Sequence, residues 1–230
     1  RERIRVIFDG VDTAVMRPDD QAQVTLPNGK IVKAGDEVLT FVNRNLEPYR
    51  GYHTFMRALP DVMAARPEAQ VVIVGGDEVS YGRAPKDAKS WRESLLREVN
   101  IDTNSETGRV HFMGRLPYAQ YRRVLQVSAV HVYLTYPFVV SWSMIEAMSI
   151  GCLVIGSDTA PVREMIEHGR NGLLCNFFDN DRLAHQIAEA LAKGTLLQGL
   201  RNQARLDAIE RYDLKTHCLP RLINFVTGGG

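Results

Sequence analysis

The chain has 230 residues, of which 45% are hydrophobic and 24% charged, and its 28 basic and 27 acidic side chains leave a formal charge of +1. That length suits one α/β domain with a full core, and the lack of a basic excess argues against a nucleic-acid partner. No apolar run is long enough to span a bilayer, and no secretory leader is recognisable at the start. In chain order, Ile4 to Phe8 is a short apolar run ended by the turn signal Asp9-Gly10. Gln23 to Lys33 alternates around Pro27-Asn28-Gly29, which predicts a small two-stranded ribbon at the domain's edge. Val38 to Val42 reads as a buried strand. Tyr52 to Ala65 carries apolar residues at helical spacing, with Pro60 as a possible kink point.

Val71 to Val74 is the next strand and ends in Gly75-Gly76. The polar stretch Asp77 to Lys89 is long for an α/β connection, which hints at function. Helices are expected over Trp91–Val99, Tyr118–Val127 and Ser143–Ile150, the last closed by Gly151. Strands are expected over Val110–Met113, Val130–Leu134 and Leu153–Ile155. Pro161 opens another helix, Asn171-Gly172 turns into the strand Leu173–Cys175, and Leu183, Ile187 and Leu191 stripe a further helix. From Gly194 to about residue 226 the signal is helical. Six apolar strands alternating with helices predict an α/β fold, a doubly wound Rossmann-like parallel sheet covered on both faces. The expected organisation is a linker segment and hairpin at 1–36, the Rossmann-like domain at 37–195, and C-terminal helices packing on it at 196–230.

Cys152, Cys175 and Cys218 form no C-x-x-C pair, and the six histidines show no metal-ligand spacing. A cytoplasmic location and no metal site are therefore expected. Opening at Arg1 and closing on three glycines, the chain is expected to be a piece of a longer polypeptide.

Ligands of such a sheet bind at the carboxyl ends of its strands. Two features stand there. Arg44 follows the first long strand and Arg50 precedes the first long helix, an arrangement suited to phosphate or diphosphate. Two surface arginines on a loop are the plainer alternative. The turn over 139–143 presents free N–H groups at a helix mouth, and Glu146 lies in the first turn, able to accept from two sugar hydroxyls. On pattern alone Ser143-x-x-Glu146 reads better as a capping box, with Glu146 reaching back to Ser143.

The motifs nevertheless resemble, in order, the C-terminal donor-binding domain of the family 4 (group 1) retaining glycosyltransferases of GT-B architecture. Arg44 and Arg50-Gly51 match the arginine and lysine-glycine positions. Val110 to Gly114 matches the strand ending at the nucleobase pocket, Glu146-Ala147-Met148 the second glutamate block, and Arg163 to Leu174 the block that follows it. The resemblance implies one half of an enzyme that moves a sugar from a UDP- or GDP-type nucleotide sugar, as in cell-surface polysaccharide biosynthesis in bacteria. It implies no metal or cofactor and a missing N-terminal acceptor-binding domain, through which peripheral membrane contact could occur. The fragment alone should transfer little or no sugar. Arg44, Arg50 and Glu146 would be catalytic, the arginines on the diphosphate and Glu146 on the ribose. Gly76, Gly114, Arg115, Leu116, Tyr118, Phe138, Ser141, Trp142 and Ser143 would border the donor. Phe138 stands where the family has a sugar-contacting glutamate, and Ser141 where glycine is usual, so altered sugar contacts are expected. A GT-B-like epimerase or hydrolase and a non-catalytic nucleotide-binding domain are the other readings.

Overall fold

The computed structural model describes residues 5–99, 101–103 and 107–228. Eight strands are formed among the described residues. The strands β1 (Gln23–Thr25) and β2 (Ile31–Lys33) pair antiparallel as the expected hairpin, with Gly29 at φ 81° in its turn. The hairpin lies over the sheet's helical layer: Ala22, Leu26 and Val32 join the core beside Val124 and Leu125.

The main sheet contains β3 (Val38–Asn45), β4 (Gln70–Gly76), β5 (Val110–Phe112), β6 (Val130–Tyr133), β7 (Leu153–Ser157) and β8 (Leu173–Cys175). All five pairings are parallel, in the order β5-β4-β3-β6-β7-β8. The central strands bury side chains on both faces, which is why their sequences lack polar alternation. On one face lie α1 (Tyr52–Ala65), α2 (Trp91–Val99) and α6 (Asn180–Lys193). On the other lie α3 (Tyr118–Gln126), α4 (Trp142–Ile150), the four-residue α5 (Ala160–Arg163) and α7 (Gln198–Tyr212). Phe41 of β3 stacks on Phe55 of α1 with centroids 4.4 Å apart, worth about 1 kcal/mol beyond the area both bury. The helix α1 runs on through Pro60, which sits on its exposed side.

The expected apolar run at the start forms no strand over residues 5–8, and Ile4 lies outside the described residues. Instead Phe8 meets Tyr212 edge to face at 5.0 Å, and Val11 bridges to Asp213. Burial raises the Asp213 carboxyl, but donors from Thr13 and Thr216 outweigh it and hold the group down at about 2. This clasp ties the first residues to the turn 214–218. The last helix, α8 (Leu219–Val226), buries none of its residues. No helix among the described residues is long and apolar enough to cross a membrane.

Under the sheet, Thr40 Oγ1 lies 2.7 Å from Ser128 Oγ and 2.9 Å from His131 Nδ1, while His131 Nε2 is buried without a partner. Burial pushes the His131 imidazole down to about 4, and burial lowers His53 and His111 as well. A depressed histidine leaves the fold neutral while the unfolded chain takes up the proton. Stability is therefore full above about 6.5 and is lost as pH falls toward 4, by up to ~1.4 kcal/mol per pH unit for one proton. Denaturation midpoints should fall across that window, and His131→Val should flatten the fall.

Candidate functional site

The chain lays β3, β4 and β5 outward in one direction and β6, β7 and β8 in the other. The order therefore reverses between β3 and β6, where diverging loops open a crevice at the carboxyl ends. A cleft of about 510 Å³ occupies this point and is lined by Arg44, Arg50, Tyr81, Tyr121, Ser141 to Ser143 and Glu146, among others. A larger groove, about 720 Å³, runs beside the edge strand β5. None of the site residues expected from sequence lines it, and its Arg92 is already paired with Asp77 at 2.5 Å.

Arg50 is placed by a short turn. Pro48 opens one turn of 3-10 helix, and Gly51 at φ 71° hands the chain to α1. A Cβ on Gly51 would overlap Leu134 at the end of β6, so glycine lets the two strand ends meet. Arg50 is thereby tucked under the segment after β6 and left 6% exposed. Its Nη1 donates to Thr135 Oγ1 at 3.1 Å and to the Val139 carbonyl at 2.8 Å. Its Cζ lies 5.1 Å from the Phe138 ring centroid and 5.3 Å from that of Tyr81. Each such contact contributes about 0.5–2 kcal/mol. Both hydrogen bonds leave from Nη1, so Nε and Nη2 have no protein acceptor among the described residues. The free edge suits bidentate contact with an oxyanion.

Tyr81 arrives on the long polar connection that follows β4. The Glu47 side chain draws that connection in: its Oε2 accepts the N–H groups of Ser80, Tyr81 and Gly82 at 3.2, 3.0 and 3.3 Å. Glu47 Oε1 is buried without a partner. Arg44 is exposed at the end of β3, where pairing with β4 slips between Val42 and Asn45. It lines the cleft and makes no ion pair among the described residues. Its neighbour Asn45 is buried, donating to Ser80 Oγ at 2.7 Å and accepting from Arg115 at 2.9 Å.

The helix α4 supplies the opposite wall. Ser141 is its N-cap and makes no side-chain cap. The Ser141 amide is taken by Tyr133 OH at 2.8 Å, so one of the N–H groups expected to be free in the turn over 139–143 is already paired. The amides of Trp142 and Ser143 have no acceptor among the described residues, and both residues line the cleft at the N-terminus of α4. The capping box does not form. The helix starts at Trp142, one residue before the expected start, so Glu146 lies beyond the first turn, and Ser143 Oγ meets Ser141 Oγ at 2.7 Å instead. Glu146, 8% exposed, accepts from Tyr118 OH at 3.0 Å and Tyr121 OH at 2.7 Å. Trp142 is 61% exposed on the rim and donates its indole N–H to Asp9 at 3.2 Å.

Of the residues expected from sequence, Arg44, Arg50, Ser141, Trp142, Ser143 and Glu146 thus share one cleft. Phe138 and Tyr118 stand behind it, on Arg50 and Glu146. Gly114, Arg115 and Leu116 follow β5, two strands away from β3. Only Arg115 reaches in, through Asn45 and Glu78. The space over Gly76 is filled by Asn45, Glu78 and Arg115, which its missing Cβ admits. Sequence reasoning passed over Glu47, Tyr81 and Tyr121. A signal existed for Tyr121 alone, which lies one helical turn after Tyr118.

The Glycosyl transferases group 1 family profile matches residues 27–207. Alpha-maltose-1-phosphate synthase of Mycolicibacterium smegmatis is 25% identical over 200 residues, covering 85% of this chain and 48% of the relative. A GDP-mannose-dependent phosphatidylinositol monomannoside mannosyltransferase of Corynebacterium glutamicum is 31% identical over 109 residues, covering 47% of this chain and 24% of the relative. The chain spans about half the length of the curated relatives that match most of it. Anabaena HepE in complex with UDP-glucose superposes with a TM-score of 0.76 at 18% identity, covering 99% of this chain and 58% of that one. The C-terminal domain of the glycosyl transferase LpcC from Francisella tularensis superposes at 0.71 and 17% identity, covering 90% of this chain and all of that one. The chain has the Rossmann-like half of the GT-B fold and belongs to the group 1 glycosyltransferases.

Proposed function

We propose that this chain is the donor-binding half of a retaining glycosyltransferase that takes its sugar from a nucleoside diphosphate, UDP or GDP. The single observation that carries the reading is the free Nε/Nη2 edge of a buried Arg50 in the same cleft as the unpaired N–H groups of Trp142 and Ser143. Fixed cationic and dipolar donors of this kind stabilise charge that develops on a departing diphosphate, with no reorganisation at the moment of bond cleavage. Arg44, exposed in the same cleft, adds a second positive charge. Glu146 takes the ribose hydroxyls. The names of HepE, solved with UDP-glucose, and of the GDP-mannose-dependent relative support both candidate bases. The acceptor would sit on an N-terminal domain beyond this chain, as the half-length coverage of relatives suggests. In this reading the arginines do the work that a divalent cation does elsewhere. Calorimetric titration of the wild-type chain with UDP and GDP in EDTA should therefore give saturable binding of one of them, unchanged when magnesium replaces the chelator. Absence of binding by both at millimolar ligand would sink the proposal.

A further inference from the structure

Both oxygens of the Glu146 carboxylate are held by neutral donors. Tyr118 OH donates to Oε1 at 3.0 Å and Tyr121 OH to Oε2 at 2.7 Å. An ionised carboxylate offers about four lone-pair positions. Two phenols fill one on each oxygen and leave one on each. Glu146 and Tyr121 both line the cleft. Two adjacent acceptors, each with one place left, match two hydroxyls on neighbouring carbons. Because the phenols carry no charge, they orient the carboxylate without quenching it, as a guanidinium would.

The two tyrosines are not equivalent. Tyr118 is the first residue of α3 and is 53% exposed. Tyr121 packs against the core through its ring, and the two rings lie 5.9 Å apart. Burial and the Glu146 charge push the Tyr121 phenol well up, so it remains a donor throughout the working pH range.

We infer that Tyr121 is a positioning residue, holding the Glu146 carboxylate so that its open lone pairs select the vicinal hydroxyls of the nucleotide's ribose. The inference rests on the nucleotide reading above. Tyr118, more exposed and at the longer distance, is the lesser of the two holds on Glu146.

The test compares affinities for UDP and 2′,3′-dideoxyuridine diphosphate, and for the guanosine pair, by calorimetry. The wild-type chain should prefer the ribonucleotide by about tenfold or more, the effect of hydrogen bonds to a charged group. Tyr121→Phe keeps the ring and removes only the donor. It should lose most of that preference, with affinity for the ribonucleotide falling and affinity for the dideoxy compound unchanged. Tyr118→Phe removes the other, more exposed donor to Glu146 and should cost less of the preference than Tyr121→Phe. A Tyr121→Phe chain that discriminates as the wild type does would overturn the inference. So would a Tyr118→Phe chain that loses the discrimination, whether or not the first variant folds. Equal wild-type affinity for UDP and its dideoxy analogue would remove the ribose role of Glu146 itself. Failure to bind either diphosphate would strike instead at the nucleotide reading, and the inference would fall with it.

Discussion

Replacing Arg50 with alanine is expected to weaken nucleoside diphosphate binding by roughly a hundredfold, about 3 kcal/mol, the scale of a lost charge-assisted pair in a sheltered site. Arg50 is buried, fixed through one nitrogen to Thr135 and Val139, and backed by two rings that also touch each other. Its orientation is set before ligand arrives, so little side-chain entropy is lost on binding. The same substitution removes a guanidinium that lies against both Tyr81 and Phe138 and should lower stability by about 1–3 kcal/mol. Arg50→Lys separates the two roles. Lysine restores charge but offers neither a planar face nor a two-toothed edge. It should recover part of the affinity and little of the stacking. Calorimetry and thermal melts on both variants check this. An Arg50→Ala chain that binds UDP or GDP as tightly as the wild type would remove Arg50 from the site.

Gly51→Ala should cost roughly 3 kcal/mol of stability and about 6–12 °C in melting temperature, large for one methyl group. Two penalties act together. The left-handed backbone at φ 71° disfavours any side chain, and the new Cβ would overlap Leu134. Relief requires the turn at Pro48–Arg50 to move away from the end of β6, which also withdraws Arg50 from Thr135. Nucleotide affinity should therefore fall along with stability. Thermal and chemical denaturation measure the first effect and calorimetry the second. A Gly51→Ala chain that melts like the wild type would show that the turn has slack that this packing denies.

The six strands were legible because burial on both faces leaves a simple mark: Val38 to Val42 and Val71 to Val74 have few alternatives in water. The hairpin was legible through Asn28-Gly29, and Arg50 through its place before a helix. Glu146 was harder to read. Its spacing from Ser143 mimics a capping box, and only the true helix start at Trp142, with two phenols from another helix, assigns it elsewhere. Glu47 and Tyr81 carried no local signal, because the bonds that join them span 34 positions of sequence. Phe138 read as a deficit, a missing carboxylate. In the fold it is a wall for Arg50, a role that depends on a contact across 88 positions that no spacing rule anticipates. Local pattern reports what each segment buries. It reports poorly on which side chains different segments bring together at a switch point.

The central claim places a diphosphate between Arg50 and the start of α4, with ribose on Glu146. Crystals of the chain soaked with UDP and with GDP test it most directly. The account predicts phosphate density against Arg50 Nε and Nη2 and the amides of Trp142 and Ser143, with the ribose hydroxyls on the Glu146 carboxylate. Nucleotide density in the groove beside β5, at Lys89 and His111, with the β3–β6 cleft empty, would contradict it.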